Sequence, residues 1–84
     1  PSAIVGPSAV LEPGCFVMQR AVVNTNTRIG RAVLVNSGAI VDHNSVVCAG
    51  AHVGLGSVVK SDCTIESGLR VEAEEVIFST RRKI

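Results

Sequence analysis

VNSGAIVDHNSVVCAGAHVGLG, residues Val35 to Gly56, carries both histidines of the chain, His43 and His52, and places a valine every six residues at Val35, Val41, Val47 and Val53. The step continues outward through Ile29, Val23, Val17, Leu11 and Val5 on one side and Val59, Ile65, Val71 and Ile77 on the other. Thirteen consecutive positions are therefore Val, Ile or Leu, with no insertion between them. Four residues after these hits stand Ala9, Cys15, Ala21, Thr27, Val33, Ala39, Ser45, Ala51, Ser57 and Cys63, all small or medium-sized, and the pattern decays only at Leu69, Glu75 and Arg81. A period of six matches neither a 3.6-residue helix nor a long two-residue alternation. It fits a strand of about four residues followed by a two-residue corner, three such units closing a triangular coil. Eighteen residues then make one coil, and the next stacks on it at about 4.8 Å, the ordinary strand spacing.

In that arrangement each aliphatic residue points inward, and the small residue two positions before it shares the inward face. Small side chains are needed there because three walls converge on a narrow interior. Cys15 and Cys63 fall in this set and read as core residues. The composition agrees with strands: 46% of the residues are hydrophobic, yet Phe16 and Phe78 are the sole aromatics, so Val, Ile, Leu and Ala supply the apolar share. The eight glycines and the many Asn and Ser residues supply corners. Asn24, Asn26 and Asn36 are read as corner residues of this kind.

An aliphatic residue, often Gly next, two variable residues, a small residue and one more is the signature of the hexapeptide parallel β-helix, which this chain resembles over its whole length. Val5-Gly6, Ile29-Gly30 and Val53-Gly54 carry its glycine. The resemblance implies an all-β, left-handed parallel β-helix of a little over four triangular coils, an exception to right-handed crossovers. The expected organisation is one β-helix domain over residues 1–80 and a basic tail over 81–84.

Charge and cysteine content narrow the function. A net charge of +1 gives no electrostatic case for nucleic acid or an anionic membrane, and no apolar run is long enough to span a bilayer. Three cysteines, Cys15, Cys48 and Cys63, cannot all pair internally and form no CxxC, which reads as reduced thiols in a cytoplasmic protein.

The residues just before the inward aliphatics point outward, and the three walls differ. One carries Ile4, Val22, Ile40, Val58 and Val76, all β-branched; the second carries Val10, Arg28, Val46 and Thr64; the third carries Phe16, Leu34, His52 and Arg70. An apolar stripe along the whole solenoid is expected to be buried, either against another copy of the chain or under a further segment of the same polypeptide. Hexapeptide proteins are generally trimers, which favours a homotrimer through that wall. His43 sits at the corner after the apolar wall, whereas His52 lies on a different wall, so the two meet only across a subunit boundary.

The string around them resembles the sugar acyltransferases that include sialic acid O-acetyltransferases and nucleotide-aminosugar N-acetyltransferases. Their hallmark, Asn-[Thr/Ser]-[Gly/Ser], an acidic-His pair and a second His eight to nine residues on, falls on Asn36-Ser37-Gly38, Asp42-His43 and His52. The resemblance implies an acetyl-CoA-dependent transfer to the amine or hydroxyl of a small-molecule sugar acceptor, with no metal. It makes His43 the general base, sets Asn36 near the acceptor, and brings His52 and the Ser61 N–H to acetyl-CoA. A neutral imidazole suits the base role, because its proton affinity lies near cytoplasmic pH. Two departures stand out. Asn44 replaces the acidic residue that follows the base in the family; the base-orienting candidates are then Asn44, whose amide oxygen could accept a ring N–H, and Asp42, although its side chain is expected to leave the strand in another direction. Lys60-Ser61 replaces a small Ala-Gly pair. Lys60, Arg70 and Arg81-Arg82-Lys83 could meet the phosphates of CoA, or the tail could be a solvated end cap. Two alternatives remain: a catalytically weak assembly module, and a γ-carbonic anhydrase type of hydratase, whose zinc requires three His ligands where this chain has two. Cys48 carries no sign of nucleophilic activation.

Overall fold

The computed structural model describes residues 3–82, which wind into a three-walled parallel β-solenoid. The first wall is a five-stranded sheet of β1 (Ile4–Val5), β4 (Val22–Val23), β7 (Ile40–Val41), β10 (Val58–Val59) and β13 (Val76–Ile77). The second stacks β2 (Val10–Leu11), β5 (Arg28–Ile29), β8 (Val46–Val47) and β11 (Thr64–Ile65); the third stacks β3 (Phe16–Val17), β6 (Leu34–Val35), β9 (His52–Val53) and β12 (Arg70–Val71). Every pairing joins residues eighteen apart, as in Val23↔Val41 and His52↔Arg70. The strands hold two residues each instead of about four, because the flanking residues are already engaged in the corners.

Those corners are tight turns in which a carbonyl accepts the N–H three residues on, as from Ala39 to Asn36 (3.1 Å). Their second corner residue has a positive φ at every step of six from Ser8 (62°) to Glu74 (62°). Gly14, Gly38, Gly50, Gly56 and Gly68 meet this without a Cβ penalty, and Asn26, Asn44 and Asp62 tolerate it. Arg20 and Ala32 adopt it as well, so the ladder dictates the conformation whatever residue occupies the corner. Asn24 and Asn36 act differently from expectation: they precede the corner, and each side-chain oxygen accepts the next backbone N–H, at 2.7 and 2.8 Å.

Gly54 is needed for a different reason. A Cβ there would sit 2.5 Å from the Val71 carbonyl oxygen and 2.8 Å from the Ala73 nitrogen, both backbone atoms of the next coil. Gly54→Ala is therefore expected to destabilise the fold by about 1–3 kcal/mol, since the ladder must move to admit the methyl. Chemical denaturation would measure it.

The interior follows the six-residue pattern. Val23, Ile29, Val35, Val41, Val47, Val53, Val59, Ile65 and Val71 are fully buried, with Ala21, Val33, Ala39, Ala51 and Cys63 between them. Thr27, Ser45 and Ser57 are buried too, and their hydroxyls donate to the carbonyls of Asp42 (2.9 Å), Lys60 (2.6 Å) and Gly54 (2.7 Å). Small polar residues are thus tolerated inside because they satisfy corner carbonyls. Cys15 packs only partly buried at the edge of the core, in the first coil, and burial pushes the Cys63 thiol up.

At the C-terminal end the repeat is cut short. Arg81 bridges Ile65, sixteen residues back instead of eighteen, and so belongs to the second wall's ladder although it was expected in the tail. Its guanidinium pairs with Glu75, placing a charged pair at the last coil, as terminal repeats of solenoids require. This accounts for the decay of the apolar pattern at those positions. Lys83, expected in the basic tail, lies outside the described residues. Arg81 holds the Glu75 carboxyl below its ordinary value of 4.5, aided by the Glu72 N–H. A carboxylate lowered on folding adds stability above its unfolded value and loses it as pH falls through the folded one. Glu75→Gln is expected to cost up to about 1 kcal/mol near neutral pH, the range of partly exposed ion pairs. That difference from the parent should shrink below about pH 4.5 in thermal melts at a series of pH values.

Candidate functional site

The first wall's outward residues emerge as the spacing predicts. Ile4 is 64% exposed, Ile40 37% and Val76 42%, with Val22 and Val58 half-buried, so one face of the chain presents a continuous β-branched stripe. Beyond its edge, at the corner that follows β7, stands His43, half exposed.

Of the two base-orienting candidates, Asp42 is the one beside this histidine, its side chain turning toward the ring and not away along the strand as expected. One carboxylate oxygen, Oδ1, accepts the His43 backbone N–H at 2.8 Å and lies 3.1 Å from the ring Nδ1. The same oxygen accepts from Asn24 Nδ2 at 3.1 Å. The His43 amide, more than any other group, holds the Asp42 carboxyl below its ordinary value of 3.8, with the ring and Asn24 adding to it against the cost of burial. The carboxylate is then acceptor-only, so in a neutral ring the contact selects the tautomer with the proton on Nδ1 and the lone pair on Nε2. Asn44 serves as the left-handed corner residue (φ 61°), and no hydrogen bond among the described residues joins its side chain to the ring.

Ser61 occupies the equivalent corner one coil later, next to His43, and the Asp62 N–H donates to the His43 carbonyl at 3.2 Å. In this column the backbone N–H groups of Thr25 and His43 are taken by the side chains of Asn24 and Asp42. Before Ser61 stands Lys60, which has no acceptor, and no hydrogen bond among the described residues uses the Ser61 N–H.

The second group lies on the third wall. His52 projects from β9 between Leu34 and Arg70 in register, and its Nε2 is 3.5 Å from Asn36 Nδ2. Asn36, His52, Leu55, Arg70 and Glu72 line a pocket of about 180 Å³. His43 and His52 share one coil, β7 to β9, but stand on different sides of it. Within a single chain the structure gathers Asn24, Asp42, His43 and Ser61 at one corner and Asn36, His52 and Arg70 on another wall. Among the described residues no three His, Cys, Asp or Glu side chains form a group able to hold a metal ion. No helix among them is long and apolar enough to cross a membrane. Sequence reasoning missed Asn24 and the aim of Asp42; the signal was their spacing of eighteen, which stacks one directly on the other.

No protein-family model matches the chain, and no curated protein matches it in sequence. Solved structures do. The acetyltransferase domain of PglB from Neisseria gonorrhoeae superimposes with a TM-score of 0.70 at 32% identity, covering 95% of this chain and 48% of that one. The same domain in complex with acetyl coenzyme A gives 0.67 at 30%, covering 92% and 48%. A histidine variant of GDP-perosamine N-acetyltransferase from Caulobacter crescentus, in complex with CoA and GDP-perosamine, gives 0.52 at 25%, covering 92% and 50%. The chain spans about half the length of the structures it matches. In fold and in sequence alike, it is a hexapeptide-repeat β-helix that resembles acetyltransferase domains.

Proposed function

We propose that this chain is the β-helical part of an acetyl-CoA-dependent acetyltransferase acting on an amine or hydroxyl of a sugar or nucleotide sugar. The observation that carries the reading is the Asp42–His43 pair, which leaves His43 Nε2 free at an exposed corner of a fold shared with acetyltransferase domains. The complexes of the two neighbours, with acetyl coenzyme A and with CoA and GDP-perosamine, motivate the donor and acceptor classes.

In this reading the acceptor's nitrogen or oxygen attacks the thioester carbonyl while His43 Nε2 removes its proton. Asp42 stabilises the imidazolium that forms. The unclaimed Ser61 N–H faces the developing oxyanion, as preorganised donors do in acyl transfer. Collapse breaks the C–S bond, and the proton passes from His43 to the departing CoA thiolate. No covalent enzyme intermediate is needed, since the thioester is already activated. The two half-sites of one chain stand on different sides of the solenoid, so a complete site needs a neighbouring copy. The apolar first wall supplies the contact, in a homotrimer that brings His52, Asn36 and Arg70 of one copy toward His43 of the next. Arg70 there offers a cation to the phosphates of CoA.

Calorimetric titration with CoA tests the reading. Saturable binding in the micromolar to millimolar range is expected. No heat at millimolar CoA would leave an assembly module, the role favoured by the lack of a carboxylate at Asn44.

A further inference from the structure

Asn24 looks at first like a corner residue and nothing more. Its side chain has two partners with opposite roles. Oδ1 accepts the Thr25 N–H at 2.7 Å and closes the corner, while Nδ2 donates to Asp42 Oδ1 at 3.1 Å, one coil further along. The ladder holds the two residues together, because Val23 and Val41, the residues just before them, are paired in register. Asp42 Oδ1 thereby accepts from two donors, the Asn24 amide and the His43 backbone N–H, and lies 3.1 Å from the His43 ring Nδ1. Two of these contacts come from the residue being oriented. Among the described residues, Asn24 alone ties the carboxylate to a different coil.

We propose that Asn24 is a positioning residue, whose amide clamps Asp42 so that the carboxylate fixes the proton on His43 Nδ1 and keeps Nε2 free for the acceptor. The proposal rests on the reading of His43 as base, and supplies the orienting arrangement for which Asn44 lacks a charge. A parallel exists on the third wall. Asn36 stands at the same place after its strand, closes its corner through Oδ1 to the Ser37 N–H at 2.8 Å, and directs Nδ2 toward His52. In both positions the oxygen serves the turn and the nitrogen serves the histidine.

The division of labour within one side chain provides the test. Asn24→Asp keeps an oxygen for the Thr25 N–H but replaces the donor facing Asp42 with a second acceptor. In the full chain at pH 8, with both carboxylates ionised, two observables are read. Long-range ¹H–¹⁵N correlation of the His43 ring reports its tautomer without any substrate. Steady-state kinetics separate kcat from the KM for acetyl-CoA. The parent is expected to show Nδ1–H with a bare Nε2. Asn24→Asp should shift the ring toward Nε2–H and lower kcat about 10- to 100-fold, the scale of a misdirected reacting group, with KM within about twofold. Asp42→Asn should shift the tautomer in the same direction. A parental tautomer in Asn24→Asp overturns the proposal, whether or not kcat falls. A shifted tautomer in a protein that transfers no acetyl group even as the parent upholds the clamp and sinks the base assignment. If the paired carboxylates unfold the corner, Asn24→Ala is read instead, and a parental tautomer there is equally fatal.

Discussion

Replacing His43 with alanine is expected to reduce turnover about 10²- to 10⁴-fold, the usual contribution of a general base, with the fold left intact. The side chain is half exposed at a corner and takes no part in the core, so its removal opens no cavity. The corner keeps its ladder bonds, since the His43 carbonyl still accepts from Asp62 and the backbone N–H still donates to Asp42. Binding of CoA should also persist, because His52 and Arg70, the residues proposed to meet it, lie on another wall. Steady-state kinetics beside calorimetry of CoA would separate the two effects. An acetylation rate equal to the parent's would reject His43 as the base.

Ile40→Asp should abolish the assembly. Ile40 is the middle member of the first wall's stripe, flanked in register by Val22 and Val58, so in a homotrimer through this wall its side chain would lie in the heart of the contact. A carboxylate there would be stripped of water with no partner, a cost of several kcal/mol in every copy. In the isolated chain the same carboxylate faces solvent, so the monomer should remain folded. Sedimentation velocity is expected to show trimers for the parent and monomers for the variant at micromolar concentration. Acetyl transfer should vanish with the trimer, because in the proposed arrangement each chain alone would hold only half of the constellation. A trimer that survived would place the contact on a different wall.

Much of this architecture was readable in the residue order. The run from Val5 to Ile77 fixes which side chains face inward, and every strand contains one of those positions. The step of eighteen determines which strands pair, and the outward neighbours distinguish the walls. Other features depend on side-chain torsions that spacing does not encode. Asp42 could have pointed along its strand or back toward the ring, and only its place between Asn24 and the His43 amide decides. The glycine of Val53-Gly54 is visible as a motif, but its cause, the backbone of the next coil only 2.5 Å from where a Cβ would sit, appears only once the coils are stacked. The shortened last coil is foreshadowed by Glu75 and Arg81 breaking the apolar pattern, though their mutual pairing was not evident, because it depends on the chain skipping two residues.

Both imidazoles ride on a single storey of this stack. Copies packed side by side without any vertical offset would therefore keep His43 of one molecule near the height of its neighbour's His52 pocket, with no bending of either chain. A slip by one rung, about 4.8 Å, would part them by more than a hydrogen bond can reach. In the proposed homotrimer the height at which neighbours meet would thus be as chemical a quantity as any side chain, and the greasy rib would act as an alignment gauge for the reaction.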